Sequence, residues 1–288
     1  MKIIEKDLTR LSTIRVPSCA KYFCEPRNLL ELKKAIEYSQ KNKLKYEVIG
    51  KGSNILFSKK SYNDRLFIKL AGEFSFLNIK NDHIEIGAAY SLKLAGKKLI
   101  ELGYKDFIFF NLIPGTVGGS IAQNAGIGKH TEVRDVCQSV KVFDLANLEV
   151  VDLSNSDCLF EYRNSIVKKT PNRFIVLSGK FILKNKIDNK EKLIDLTKQS
   201  ILEKSNREPV GFSFGSTFKN NDISAWECVK AVKHELNFDD DVFFSDKHNN
   251  WIINKNADGK KILMLIKKVK NEVKKKINVD LENEVTII

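Results

Sequence analysis

Long apolar stretches are missing from this 288-residue chain. The longest, such as Phe107 to Pro114, fall far short of the roughly 20 residues that a helical membrane span needs. The first residues, Met1-Lys-Ile-Ile-Glu-Lys-Asp7, hold no apolar block of the kind that directs secretion. A soluble, cytoplasmic protein with no membrane partner is the expectation. Cysteine is sparse and odd in number: Cys19, Cys24, Cys137, Cys158 and Cys228. No two are spaced Cys-x-x-Cys, which argues against a disulfide scaffold and against a zinc site. The four histidines, His83, His130, His234 and His248, share no metal-ligand spacing, so no metal is expected. Acidic residues are outnumbered, 36 Asp and Glu against 49 Lys and Arg, for a formal charge of +13.

Such a surface attracts anions, whether nucleic acid, acidic lipid or phosphorylated small molecules. A Lys-rich composition with no partner looks the same. The one dense patch, nine Lys between 255 and 276, falls on an amphipathic pattern. Ile262, Leu265, Ile266, Val269, Val273 and Ile277 share one face of a helix predicted over 260–277, and the lysines take the other. A solvated helix face explains the patch more simply than a nucleic-acid site, and no nucleic-acid motif accompanies it. Apolar residues make up 42% of the chain, enough for a sizeable core.

Local signals divide the chain into elements. Asn28 with Glu31 resembles a capping box, and Leu29, Leu32 and Ile36 recur at helical spacing, predicting a helix over 28–42. Tyr46 to Ile49, Ile55 to Phe57, 65–70 and 83–88 read as strands. Ser91 opens a helix that Gly103 would cap. Phe107 to Ile113 is a buried run. Strand-like runs follow at Val140–Phe143, Leu148–Val151 and Phe174–Leu183, then a charged linker and a helix over 190–205. This mixture, without a strict βαβ rhythm, indicates an α+β fold.

Glycine is scarce, yet five of the 15 crowd into Pro114-Gly-Thr-Val-Gly-Gly-Ser-Ile-Ala-Gln-Asn-Ala-Gly-Ile-Gly128. Glycines let backbone approach a ligand closely. Before a helix they leave amide hydrogens facing an anion, and Thr116, Ser120 and Asn124 add neutral donors, a set that suits a pyrophosphate. A tight turn with structural glycines is the competing explanation. Gly50-Lys-Gly-Ser-Asn54, between two strand-like runs, is a second such loop. Neither is a Walker A motif, and Ile55 stands where the dinucleotide fingerprint needs its third glycine. A P-loop ATPase and a classical NAD fold are therefore disfavoured, and another dinucleotide-binding architecture is indicated.

Pro114-Gly-Thr-Val-Gly-Gly119, with Asn124-Ala-Gly126 behind it, resembles the flavin loop of the UDP-N-acetylenolpyruvoylglucosamine reductase (UDP-N-acetylmuramate dehydrogenase) family. Gly50-Lys-Gly-Ser-Asn54 is similar to that family's first FAD loop. Thr13-Ile-Arg15 resembles its N-terminal motif, and Glu161-Tyr-Arg-Asn-Ser165 its Tyr-Arg-Asp-Ser. Gly215-Ser-Thr-Phe-Lys-Asn220 resembles Gly-Ser-x-Phe-Lys-Asn-Pro. Ser245-Asp-Lys-His-Asn-Asn-Trp-Ile-Ile-Asn254 resembles Ser-x-Lys-His-x-Asn-Phe, and Leu281-Glu-Asn-Glu-Val285 the closing Leu-Glu-x-Glu-Val. The motifs keep the family's order and nearly span the chain. Asn221 replaces the usual Pro, Asn164 the usual Asp, and Val210-Gly-Phe-Ser-Phe-Gly215 is a looser approach to the serine. The short Arg163-to-Ser216 interval resembles the subtype without an extra tyrosine-bearing substrate loop.

The resemblance implies an FAD-dependent oxidoreductase of peptidoglycan precursor synthesis. NADPH would be the co-substrate, and UDP-N-acetylglucosamine enolpyruvate, a UDP-sugar enolpyruvyl ether, would be reduced to UDP-N-acetylmuramate. It implies a two-part FAD-binding region of the vanillyl-alcohol-oxidase (PCMH-like) type, residues 1–70 and 71–185. An α+β substrate-binding domain, 186–275, and a C-terminal segment, 276–288, returning to the flavin site would complete the α+β fold. By their matches, Ser216 would protonate the substrate carbon, Arg163 would hold the substrate carboxylate, and Glu284 would orient or protonate at the same centre. Gly50, Lys51, Gly52, Ser53, Asn54, Pro114, Gly115, Thr116, Gly118, Gly119, Ser120, Asn124 and Gly126 would hold FAD. Tyr162, Lys219, Asn220 and His248 would join Arg163 in contacting the substrate. A monomer binding only small molecules is the expectation. The alternatives are another FAD-dependent oxidoreductase of the same superfamily with a different substrate, or a basic nucleic-acid-binding protein.

Overall fold

The structure, a computed structural model, describes residues 1–128, 131–236 and 240–288, so that His130 lies outside the described residues. Helices and largely antiparallel sheets succeed one another without a regular βαβ alternation, an α+β class. Among the described residues no helix is long and apolar enough to cross a membrane. The chain forms two compact units, each assembled from separate stretches. The first comprises Met1–Ile4, Phe23–Gly50 and Asp64–Lys204; the second comprises Glu5–Tyr22, Lys51–Asn63 and Ser205–Ile288.

In the first unit, the Leu29–Lys41 helix begins where Asn28 Oδ1 accepts the Glu31 N–H at 2.9 Å. Glu31 does not close the box on Asn28; its carboxylate accepts the Arg27 N–H at 2.8 Å. Lys45–Val48 pairs in parallel with the end of Ser61–Ile68, from Lys45↔Arg65 to Val48↔Ile68. A five-stranded antiparallel sheet has the order Leu77–Ile79, His83–Gly87, Phe174–Ile182, Cys137–Asp144, Glu149–Ser154. The short Val117–Gln123 helix lies on its middle strand. Gly179 makes that approach possible, because a Cβ there would stand 2.7 Å from Ile121 Cδ1.

The buried run after Tyr104 is a 3-10 turn followed by the Ile108–Leu112 helix. It delivers Phe107 and Phe110 edge-on to Phe181, with centroids 6.4 and 5.5 Å away. All three are fully buried, each worth roughly 1.5–3 kcal/mol relative to exposure.

In the second unit, Ala225–Lys233 packs on Gly259–Ile277. Cys228, Val229 and Val232 are buried, as are Ile262, Ile266, Val269 and Val273. Lys267, Lys268 and Lys274 to Lys276 are exposed, so the basic patch is the wet face of this helix. Val242–Phe244 pairs with Ile252–Asn254, and Thr286–Ile287 pairs in parallel with Ile55–Leu56.

Candidate active site

The two glycine loops touch within the first unit. A Cβ on Gly50 would stand 2.6 Å from Thr116 Oγ1, so only a bare backbone permits the contact. In the second unit, Gly52 adopts φ +66°, and a Cβ there would meet the Leu11 carbonyl oxygen at 1.8 Å. Thr13, from the N-terminal motif, donates its N–H to Gly52 O at 3.1 Å and its hydroxyl to the same oxygen at 3.4 Å. Among the described residues, the backbone N–H groups of Gly50, Gly52 and Asn54 meet no protein acceptor. Lys51 and Ser53 lie on the same stretch. Among the described residues these three amides are thus left unused by the protein, the kind of donor that an anion takes.

The second loop works differently from the sequence expectation. The amides at the start of the Val117–Gln123 helix are engaged within the protein: Val117 N–H to Tyr90 O at 3.0 Å and Gly118 N–H to Ala88 O at 2.9 Å. Gly119 N–H goes to Thr116 Oγ1 at 3.3 Å. The side chains are engaged too. Ser120 Oγ donates to Val117 O at 2.8 Å, and Asn124, fully buried in the left-handed region at φ 44°, donates to Glu132 Oε2 and Glu161 O, both at 2.9 Å. Free amides at Gly118 and Gly119, and free donors at Ser120 and Asn124, are thus corrected. The reason is tertiary: the loop docks on Ala88 and Tyr90, whose carbonyls take the hydrogens. Gly118 is small for that docking, since a Cβ would come within 2.9 Å of the Ala88 Cβ. Thr116, Gly115 and exposed Pro114 precede the helix, and Gly126 follows it.

Arg163 also belongs to the first unit. Glu161 and Asn164 exchange backbone hydrogen bonds at 3.1 Å each, which closes a tight turn with Tyr162 and Arg163 at its tip. Arg163 takes φ 54°, an uncommon conformation for a side-chain-bearing residue and one held here by its surroundings. Its guanidinium lies 4.9 Å from the Tyr162 ring centroid and donates from Nη2 to Gly126 O at 2.8 Å. Nη1 pairs with Glu132 Oε1 at 3.6 Å. The side chain is 11% exposed, a pre-organised cation at the edge of solvent.

Ser216 and Glu284 lie on neighbouring segments of the second unit. The 215–219 segment runs between two others. On one side Ser216 bridges Trp251, and Thr217 N–H donates to Asn250 O at 2.8 Å. On the other, Glu284 N–H donates to Thr217 O at 2.9 Å, and Lys219 N–H to Glu282 O at 2.8 Å. Buried Asn250 straddles the crossing: its Oδ1 accepts from Phe218 N–H at 3.0 Å and its Nδ2 donates to Phe218 O at 2.8 Å. Asn54 Nδ2 donates to Glu284 O at 3.1 Å, tying the first glycine loop to the glutamate. Ser216 is half-buried, and among the described residues its hydroxyl makes no hydrogen bond. Among the described residues, three buried polar atoms on these segments have no protein partner: Thr217 Oγ1, His248 Nδ1 and Asn283 Oδ1. Unmatched polar atoms fit a polar ligand.

The other expected substrate contacts carry structural bonds as well. Lys219 Nζ pairs with Glu282 Oε1 at 2.6 Å, and Asn220 Oδ1 accepts the Ala225 N–H at 3.0 Å where a helix begins. The His248 ring lies 5.9 Å from that of Trp251. Burial holds its pKa below the ordinary 6.5, so the ring is neutral at pH 7. As pH falls, the unfolded chain takes up this proton first, and the folded state loses stability below about pH 6.5. His248→Gln is expected to flatten that decline, read as urea midpoints at about pH 7.5 and about pH 5.5. Equal slopes in variant and wild type would count against the assignment. Burial also pushes the Cys24 and Cys158 thiols up to about 12, which leaves them protonated and poor nucleophiles.

Glu132 and Asn250 are central to these clusters. Asn250 lies inside a sequence motif, but without a role. Glu132 lies in no motif, and only the tertiary structure brings it to Arg163.

Comparisons with known proteins match both parts of the chain. Residues 20–154 match the model of the FAD binding domain family, and residues 191–288 that of the UDP-N-acetylenolpyruvoylglucosamine reductase C-terminal domain. The UDP-N-acetylenolpyruvoylglucosamine reductase of Pelagibacter ubique is 32% identical, covering 98% of this chain and 93% of its own. That of Clostridioides difficile is 30% identical, covering 99% and 92%. The crystal structure of UDP-N-acetylenolpyruvylglucosamine reductase from Thermus caldophilus superposes with a TM-score of 0.81 at 27% identity, over 100% of this chain and 99% of that one. Kinship this close, at both ends of the chain and through the glycine loops between them, has one meaning: the chain belongs to the UDP-N-acetylenolpyruvoylglucosamine reductase family.

Proposed function

We propose that this protein uses NADPH and bound FAD to reduce UDP-N-acetylglucosamine enolpyruvate to UDP-N-acetylmuramate, in the cytoplasmic synthesis of peptidoglycan precursors. What carries the reading is family membership along the whole chain. Residues 1–70 and 71–185 serve as the two parts of the FAD-binding region, 186–275 as the substrate-binding domain, and 276–288 as the segment returning Glu284 to the site.

Gly50, Lys51, Gly52, Ser53 and Asn54 hold the FAD diphosphate through outward amides. This assignment is supported by the unmatched N–H groups of Gly50, Gly52 and Asn54. Pro114, Gly115, Thr116, Gly118, Gly119, Ser120, Asn124 and Gly126 contribute by close approach of a loop braced on Ala88 and Tyr90, more than by free amides. When bound, FAD supplies the hydride chemistry, accepting from NADPH and donating to the enolpyruvyl double bond.

The chain's own residues manage charge and proton. Hydride addition pushes negative charge toward the substrate carboxylate, and Arg163, with Tyr162 beneath it, holds that carboxylate with a planar fork. Ser216 delivers the proton to the neighbouring carbon. Its unengaged hydroxyl suits that task, since a strongly basic carbon centre needs no acidic donor. Glu284, on the segment bonded to Thr217, orients that donor or the substrate. Lys219, Asn220 and His248 contact the remainder of the substrate.

The purified protein is expected to be yellow, to bleach with NADPH under nitrogen, and to regain its colour when the enolpyruvyl UDP-sugar is added. Recovery only with another acceptor would favour a different flavin oxidoreductase of the same superfamily. A colourless protein with salt-sensitive affinity for DNA or RNA would favour the nucleic-acid alternative.

A further inference from the structure

Glu132 is 6% exposed, an unusual place for a carboxylate unless charge and hydrogen bonds hold it. Both are present. Oε2 accepts from Asn124 Nδ2 at 2.9 Å and pairs with Arg134 Nε at 3.1 Å, while Oε1 pairs with Arg163 Nη1 at 3.6 Å. The backbone is pinned as well. Glu132 N–H donates to Asp135 Oδ2 at 2.7 Å, and Glu132 bridges Gly126, whose carbonyl receives Arg163 Nη2 at 2.8 Å. One glutamate thus reaches the guanidinium twice, through its carboxylate and through the carbonyl of its bridge partner. It reaches the turn carrying Arg163 a third way, because the Asn124 amide that it accepts also donates to Glu161 O at 2.9 Å.

The two arginines differ. Arg134 is 49% exposed and also approaches Asp135 Oδ1 at 3.8 Å, as expected of a counter-ion at the surface. Arg163 is nearly enclosed, and its long flexible stem would otherwise sample many rotamers. A carboxylate-binding fork needs its plane fixed before the substrate arrives, because a side chain already ordered spends no binding energy on its own immobilisation.

We propose that Glu132 is the positioning residue of the substrate-carboxylate site: it sets the plane of the Arg163 guanidinium and, through Asn124, locks the second glycine loop to the turn that carries Arg163. This rests on Arg163 being the carboxylate anchor.

The test uses the FAD-loaded full chain, with NADPH and the enolpyruvyl UDP-sugar, in wild type, Glu132→Gln, Glu132→Asp, Arg163→Ala and the double variant E132Q/R163A. Gln keeps the size and one acceptor oxygen but loses the charge. E132Q is expected to raise KM for the UDP-sugar about tenfold with kcat nearly kept, while flavin content and its reduction by NADPH stay as in wild type. R163A is expected to lose substrate turnover and keep its flavin. In the R163A background, E132Q is expected to add less than about twofold, since the two act as one unit.

A wild-type KM in E132Q beside a crippled R163A overturns the role of Glu132 and leaves Arg163 standing. Independent, multiplying losses in the double variant overturn it too. Wild-type turnover by R163A removes the anchor itself, and the proposal with it. Should E132Q not fold, E132D carries the test. Its shorter arm withdraws the charge, so a KM raised about threefold supports the role and an unchanged KM overturns it.

Discussion

Ser216→Ala is expected to leave NADPH reduction of the flavin intact while substrate reduction falls by about 10²–10⁴, the usual contribution of a positioned proton donor. The two half-reactions separate cleanly because no proton from Ser216 enters the first. The surroundings make the substitution mild in every other respect. Ser216 is half-buried, its hydroxyl holds no protein group in place among the described residues, and its segment is anchored by backbone bonds and by Asn250 rather than by the serine side chain. Rapid mixing of the oxidised variant with NADPH, then of the reduced variant with the enolpyruvyl UDP-sugar, reads the halves separately. Equal loss of both, or undiminished turnover, would dismiss Ser216 as the donor. Residual turnover in deuterated solvent would show whether another group delivers the proton without stereochemical control.

Gly52→Ala should show the largest loss of stability. A side chain at φ +66° costs about 1–2 kcal/mol by itself. The new methyl would also meet the Leu11 carbonyl oxygen at 1.8 Å, a backbone atom that cannot rotate aside. Together these are expected to cost about 4 kcal/mol or more, which falls in the range reserved for gross steric conflict. That is a large share of the roughly 5–15 kcal/mol that a domain commands. Flavin should be lost at the same time, because the chain can relieve the clash only by moving the 50–54 loop. Gly128→Ala is the matched control, with φ +69° and nothing within 4 Å of the new Cβ. It should pay the conformational cost alone. Urea unfolding and the flavin-to-protein absorbance ratio check both. If G52A proved as stable as G128A, the close approach to Leu11 would be disproved.

Much of the local structure was legible in the residues. Asn28 starts a helix with its own side chain, and an apolar face at 3.6-residue spacing places Gly259–Ile277 to within a residue. The glycine clusters flagged both loops, because a missing Cβ is a property of the residue itself. The glycines' purpose was less legible. The sequence suggested amides facing an anion in both loops; among the described residues the structure gives Gly50, Gly52 and Asn54 N–H no protein acceptor, and it engages those of Val117 to Gly119 with Tyr90, Ala88 and Thr116. Nothing near Gly118 in the chain signals that Ala88 will be its acceptor.

By itself, then, the sequence determined the elements, the glycine-bearing turns, the order of the motifs and hence the family, since each depends on residues within a few positions of one another. Only the tertiary structure decided which of those pieces meet. Asn54 finds Glu284 across 230 positions, two units are woven from alternating stretches, and Glu132 settles beside Arg163. Such partners are selected by the burial and pairing of polar groups when the whole chain closes, and that choice leaves no periodic trace in the sequence around either partner.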